Sequence, residues 1–157
     1  MPSFQATGSR RVIIFISAIA LLAGGSIYVF LRPGSFVFHR WLQPVGMEGI
    51  VERGNSISRG IADNLPDWLL YSLPDGLWAF AYALLITGIW AGSSSPLRFF
   101  WYASIPVLIL GFEFLQALEM IPGTFSITDL IFSMGGIGMG IITTMILVSG
   151  NRCHRAT

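Results

Sequence analysis

The stretch VIIFISAIALLAGGSIYVFL, residues 12–31, runs for 20 residues without a charged side chain. As an α-helix it would reach ~30 Å, one bilayer hydrocarbon core, because an α-helix rises ~1.5 Å per residue. Arg10 and Arg11 precede it, as basic residues precede a signal peptide, but the run is too long for the apolar region of an ordinary signal peptide. We therefore expect a retained transmembrane helix.

Three further apolar stretches have spanning length: residues 73–92, 97–121 and 127–149. The chain of 157 residues is 54% hydrophobic and only 11% charged, with a mean hydropathy of +0.70. Soluble domains have about 25% charged residues, so this composition excludes a soluble globular enzyme. It predicts an all-α membrane protein with four transmembrane helices, in one membrane domain covering residues 1–157.

The connection between the first two spans has a pattern of its own. Between residues 47 and 71, apolar side chains recur at helical spacing with charged residues between them: Ile50, Ile57, Ile61, Leu65, Trp68 and Leu69. This pattern is typical of amphipathic helices that lie in the membrane interface. We expect one or two such interfacial helices there.

Arginines near the span ends predict the orientation. Four spans put both termini on one side, and that side carries five arginines close to the spans: Arg10, Arg11, Arg98, Arg152 and Arg155. The positive-inside rule then predicts cytoplasmic termini in the bacterial cytoplasmic (inner) membrane, with the connection of residues 32–71 outside.

The composition also limits the chemistry. A net charge of +1 leaves no basic footprint for a nucleic acid. Cys153 is the single cysteine, and His39 and His154 fall on opposite predicted sides, so we predict no metal site and no cofactor. No nucleophile and base stand at a recognisable spacing, so we expect binding rather than turnover, with hydrolysis by a carboxylate pair left open.

Polar residues inside the third span are the first site candidates, since a charge at the bilayer centre costs ~2.5–3.5 kcal/mol even on the mild insertion scale. Glu113 lies eight residues, hence ~12 Å, before the predicted end at Ile121. Gln116 follows on nearly the same helix face. The pair predicts either a functional site or a purely structural role. In the structural role, Glu113 would only hydrogen-bond to a neighbouring helix and hold the two together.

Asp75 and Asp129 have a structural alternative of their own. Ser72-Leu-Pro-Asp75 and Ser126-Ile-Thr-Asp129 both match a capping box, in which the Ser and the acid satisfy each other's backbone N–H. Both acids open a span, however, so four alternating spans put them in the same outer leaflet as Glu113 and Gln116. We predict that these four side chains line one ligand-binding pocket.

The glycine-rich run at residues 135–140 is only superficially like a dinucleotide loop, because no strand precedes it. Gly136 and Gly140 are four residues apart and form a small-residue face on the fourth span. Such a face predicts close packing against another helix.

Three pieces of sequence carry a family resemblance: Glu113-Phe-Leu-Gln116, the turn Pro122-Gly-Thr-Phe-Ser126, and Asp129-Leu130. Together they resemble the VanZ-like family of small integral membrane proteins, which shows Glu-x-x-Gln, a short Pro/Gly turn and an Asp opening the last helix. Many members carry a His where Trp78 or Phe80 stands here, and an Arg after the glycine of the turn. The resemblance implies a link to glycopeptide (teicoplanin) resistance at the cell surface.

The resemblance and the acids together predict an outer-leaflet polar pocket, covered by the interfacial helices, that binds an envelope lipid or lipid-linked amphiphile. The alternative is a non-catalytic accessory or scaffold subunit of a larger membrane protein complex. The two hypotheses predict different surroundings for Glu113. A pocket open to lipid or water favours ligand binding, whereas full burial at a helix contact favours a scaffold.

The predicted orientation puts Cys153 in the cytoplasm. A membrane-impermeant thiol reagent should therefore leave Cys153 unlabelled in intact cells and label it once the membrane is permeabilised. Strong labelling of intact cells would reverse the orientation.

Overall fold

The computed structural model describes residues 6–31, 49, 60, 62–120 and 125–153, and no strand occurs in these ranges. The helices are α1 (Ala6–Ser26, continuing as a π-helical turn over Ile27–Leu31), α2 (Asp67–Leu70), α3 (Ser72–Trp90), α4 (Leu97–Ala117) and α5 (Ile127–Cys153). Within the described residues, four helices are long and apolar enough to cross a membrane. The predicted all-α membrane fold is confirmed.

The predicted interfacial helices fall mostly outside the described residues. In the 47–71 segment the structure describes residues 49, 60 and 62–71, which include the single turn of α2. Trp68 of α2 stacks on Phe132 of α5, with 5.6 Å between the ring centroids. This turn of helix therefore lies against the beginning of α5.

Helix α3 forms the centre of the bundle and packs most extensively against α5 and next against α1. Half of the residues in its apolar stretch are buried inside the protein. The buried residues of α3 are mostly small: Ser72, Pro74, Gly76, Ala79, Ala81, Ala83, Leu84, Ile86 and Gly88. Lipid tails provide no hydrophobic force between helices, so close van der Waals packing of small residues holds such bundles together.

The α3–α5 contact joins backbone to backbone. A Cβ atom at Gly136 would collide with the carbonyl oxygen of Gly76 and lie 3.0 Å from the Phe80 nitrogen. A Cβ at Gly140 would lie 2.7 Å from the Phe80 oxygen. The structure thus places Gly136 and Gly140 where neither tolerates a side chain.

Hydroxyl groups extend this contact toward the other end of the two helices. The Thr87 and Thr144 hydroxyls share a hydrogen bond of 2.7 Å, and Thr144 also donates to the Gly140 carbonyl at 3.1 Å. The Thr87 and Thr144 hydroxyls are therefore both satisfied within this helix pair.

Helix α1 fixes which ends lie together. Ser9 donates from its hydroxyl to the Leu147 carbonyl at 3.2 Å, and Ile13 lies against Gly88. The first turns of α1 thus lie beside the last turns of α3 and α5, at the end of the bundle where Arg98 opens α4. The beginnings of α3 and α5 lie at the opposite end.

Helix α4 is attached mainly through its first half. The hydroxyls of Tyr82 and Ser104 are 2.8 Å apart, and Ile105, the buried residue of α4, packs with Ala83 and Ile86. The helix as a whole packs much less extensively against α5 than α3 does. Only 6% of the residues in its apolar stretch are buried inside the protein.

The third span ends at Ala117 rather than at the predicted residue 121. The Met120 N–H bonds to the Leu115 carbonyl and the Glu119 N–H to the Gln116 carbonyl, the pattern of a Schellman motif. Glu119 occupies the left-handed position of this motif, with φ at 57°. Glycine usually fills that position, and its absence here hid the helix end from sequence inspection.

Gly136→Ala should destabilise the protein by about 1–3 kcal/mol, because even one methyl group overpacks the α3–α5 contact. Gly135→Ala is the matched control, since a Cβ at Gly135 meets nothing within 4 Å. Thermal unfolding of the purified proteins in detergent measures the difference. Equal melting temperatures for the two variants would contradict the close contact.

Glu119→Gly should stabilise the end of α4 by up to about 1 kcal/mol. It removes a left-handed conformation that costs an L-residue roughly 1–2 kcal/mol, offset in part by the greater chain entropy of glycine. Glu119→Ala removes the carboxylate but keeps the Cβ, and so should give no gain. A gain of equal size with alanine would show that charge, not backbone conformation, sets the effect.

Candidate functional site

Three carboxylates meet where α3 begins, α4 ends and α5 begins. One oxygen each of Asp75, Glu113 and Asp129 lies within 4.8 Å of the others, and all three side chains are half-buried. These are the three acids that the alternation of the spans predicted for one leaflet. We call them the acidic cluster.

Asp129 contributes to the cluster while its backbone is used in the helix start. Its backbone N–H donates to the Ser126 hydroxyl at 3.4 Å, which is the predicted half of the capping box. Its carboxylate does not complete the box, because Oδ1 instead accepts a 2.5 Å hydrogen bond from the Ser72 hydroxyl of α3. Asp129 therefore links two helices rather than only capping its own.

The predicted capping role of Ser72 is wrong. Helix α3 begins at Ser72 itself, its N-cap is Tyr71, and no side chain caps it. A capping box is recognised from local spacing alone, so the sequence could not reveal that the hydroxyl is used by Asp129. Asp75 lies in the first turn of α3, where the positive end of the helix favours a carboxylate.

Glu113 lies nearer to the helix end than the sequence predicted. Because α4 ends at Ala117, Glu113 is one turn, ~6 Å, from that end rather than ~12 Å. The backbone N–H of Ser126 faces its carboxylate. Its oxygen Oε2 is buried and has no hydrogen-bond partner among the described residues. Within the described part of the chain, one acceptor of the cluster is therefore left unsatisfied.

Gln116 was predicted to join this group, and its membership stays a prediction. Its side chain is half-buried and is not among the described residues that line the cleft beside Glu113. A spacing of three residues turns the Gln116 side chain about 60° around the helix from Glu113.

Two features of the helix starts favour negative charge in the cluster. Three neighbouring carboxylates repel one another strongly in a low-dielectric site. The positive N-terminal ends of α3 and α5 and the hydrogen bond from the Ser72 hydroxyl counteract this repulsion. Arg98 lies at the opposite end of the bundle, where it donates to the Ser93 carbonyl at 2.7 Å.

The donor set also bears on metal binding. Our prediction of no metal site rested on the scarcity of His and Cys. Ca²⁺, Mg²⁺ and Mn²⁺ prefer oxygen ligands such as carboxylates and need no His or Cys. The spacing of the oxygens within the cluster would fit such an ion. The three acids are thus the residues of the described chain that could hold a hard cation.

An apolar cleft lies directly beside Glu113, between α4 and the beginning of α5. Its volume is about 900 Å³, and it is open along one side. Its walls share an aliphatic or aromatic character, apart from Glu113 at one edge: Pro106, Val107, Leu110, Phe114, Phe125, Leu130 and Met134. We call this space the outer cleft. It joins a polar group to an apolar surface within the membrane-spanning part of the fold.

No protein family, no curated protein and no solved structure matches the chain significantly. The resemblance to the VanZ-like family therefore stays a prediction.

Proposed function

We propose that this membrane protein binds an envelope lipid or lipid-linked amphiphile, with the polar head of the ligand at the acidic cluster and its tail in the outer cleft. The position of Glu113 carries the proposal. This residue belongs to the cluster and also lines the cleft, so one side chain faces both the polar and the apolar part of an amphiphile.

The surroundings of Glu113 favour ligand binding over a purely structural role. In a structural role, both carboxylate oxygens would be hydrogen-bonded at a closed contact between helices. Here Oε2 lacks a partner among the described residues, and a cleft of about 900 Å³ opens beside it. A buried acceptor without a partner costs free energy that a ligand with a hydrogen-bond donor would recover.

The chemistry of the cluster also favours one kind of headgroup. The cluster presents carboxylate oxygens, which accept hydrogen bonds. Hydroxyl or ammonium groups of a ligand complement such acceptors.

The protein belongs, in this proposal, to the VanZ-like family and to the bacterial cytoplasmic membrane, with both termini in the cytoplasm. Arg10, Arg11 and Arg98 lie at the end of the bundle opposite the acidic cluster. The positive-inside rule assigns that end to the cytoplasm. The cluster would then face the outer leaflet, where envelope precursors and surface lipids are found.

A second candidate is an accessory subunit of a larger membrane protein complex. It is favoured by the exposure of α4, whose outward side chains include Phe99, Phe100 and Phe112, each at least 60% exposed. A partner helix could cover this face. In that case the acids would serve only to hold the three helix ends together.

Glu113→Gln separates the two candidates, because it keeps the shape and most hydrogen bonding of the side chain but removes its charge. The variant should fold normally, but the amount of lipid that co-purifies with it should fall about tenfold or more. This is the fall expected when a charge-assisted hydrogen bond of roughly 1.5–3 kcal/mol is lost. Mass spectrometry of lipids bound after native-detergent purification measures the loss.

Glu119→Gln is the matched control. Glu119 is an exposed acid just beyond the same helix and lies outside the cluster, so this variant should retain lipid like the wild type. Equal lipid retention by both variants would refute ligand binding through Glu113. Co-purification of a stoichiometric protein partner without lipid would favour the accessory subunit.

A further inference from the structure

A second cavity lies in the other half of the bundle. It measures about 590 Å³ and is bounded by the last turns of α3, the first half of α4 and the second half of α5. Its walls include Ile105, Ile137, Ile141 and Val148. We call it the inner cavity. Among its polar wall groups, Thr87 and Thr144 are hydrogen-bonded to each other, so these two do not require a polar ligand.

The two spaces form one groove. Pro106 of α4 and Met134 of α5 line both of them. Along α5 most of the residues that line either space are three or four positions apart and so share one helix face: Leu130, Met134, Ile137, Ile141, Thr144 and Val148. Met145 and Ser149 flank this face at the far end. The groove therefore follows one side of α5 without turning.

The length of this groove is its most informative property. From Leu130 to Val148 an α-helix rises ~27 Å, close to the ~30 Å of a whole hydrocarbon core. A phospholipid acyl chain occupies one leaflet, about half that thickness. Such a chain would fill only the part beside the acidic cluster.

The volume of the groove is too small to enclose a partner helix along its full length. A helix ~10 Å across and ~27 Å long occupies roughly 2,000 Å³. The two spaces together offer less, at about 900 Å³ and about 590 Å³. A single slender hydrocarbon chain meets both limits, because it is long and narrow.

We propose that the groove holds one polyprenyl chain that extends through both leaflets, so that the ligand is a polyprenyl-linked amphiphile rather than a diacyl phospholipid. This inference rests on the proposed function, since the head of the same ligand would lie at the acidic cluster. The outer cleft takes the first isoprene units and the inner cavity takes the distal ones.

The test compares two alcohols that share a hydroxyl head and differ in chain length. Purified protein in phospholipid nanodiscs is doped with equal mole fractions of farnesol, which has three isoprene units, and undecaprenol, which has eleven. Native mass spectrometry should show at least tenfold higher occupancy by undecaprenol. Equal occupancy would overturn the chain-length inference and leave lipid binding intact.

Met134→Trp should abolish the preference for the longer alcohol, because a bulky ring at the junction closes the passage between the two spaces. Met139→Trp is the control: Met139 is 63% exposed on the same helix and lines neither space. Ile141→Trp, which fills the inner cavity, should also abolish the preference, whereas Ile142→Trp, on the exposed side, should not. Each variant is compared by its thermal unfolding before binding is measured.

A preference that survives both Met134→Trp and Ile141→Trp would overturn the inference. Stable occupancy of the groove by phospholipid in place of either alcohol would overturn it too, as would a protein dimer that closes the groove. Failure of the wild type to retain any amphiphile would instead overturn the proposed function, which the loss of chain-length preference alone would not.

Discussion

The backbone contact between α3 and α5 is the constraint on which the rest of the structure depends. Gly136 lies against the Gly76 carbonyl, so the two helices approach more closely than side chains would permit. This approach sets the distance between the helix starts that carry Asp75 and Asp129, and it lets Ser72 reach Asp129 across the contact. Larger residues at these glycines would separate the helices, and the acidic cluster would open with them.

The tight α3–α5 pair provides a rigid part of the fold, and the loosely attached α4 leaves an open groove beside it. Ile105 and the Tyr82–Ser104 hydrogen bond hold the first half of α4, but the helix is mostly exposed along its length. In water so much exposed apolar surface would be costly, whereas in a bilayer lipid tails solvate it at little cost. The membrane thus permits an open groove beside a rigid contact, and Glu113 lies where the two meet.

The sequence predicted the spans well because every backbone polar group inside a bilayer needs an internal partner, which leaves long apolar helices as the solution for these segments. It also grouped Asp75, Glu113 and Asp129, since alternation of four spans is enough to assign a leaflet. It misplaced the end of the third span, because Glu119 takes a left-handed conformation usually signalled by glycine. It missed the role of Ser72, because spacing along one helix does not specify partners on another.

The way α5 begins contributes to holding the three acids together. The Ser126 N–H, which a complete capping box would give to Asp129, goes to Glu113 of α4. Asp129 is freed to accept from Ser72 of α3. The start of α5 is therefore satisfied by both neighbouring helices, and its positive end, with that of α3, faces the acids.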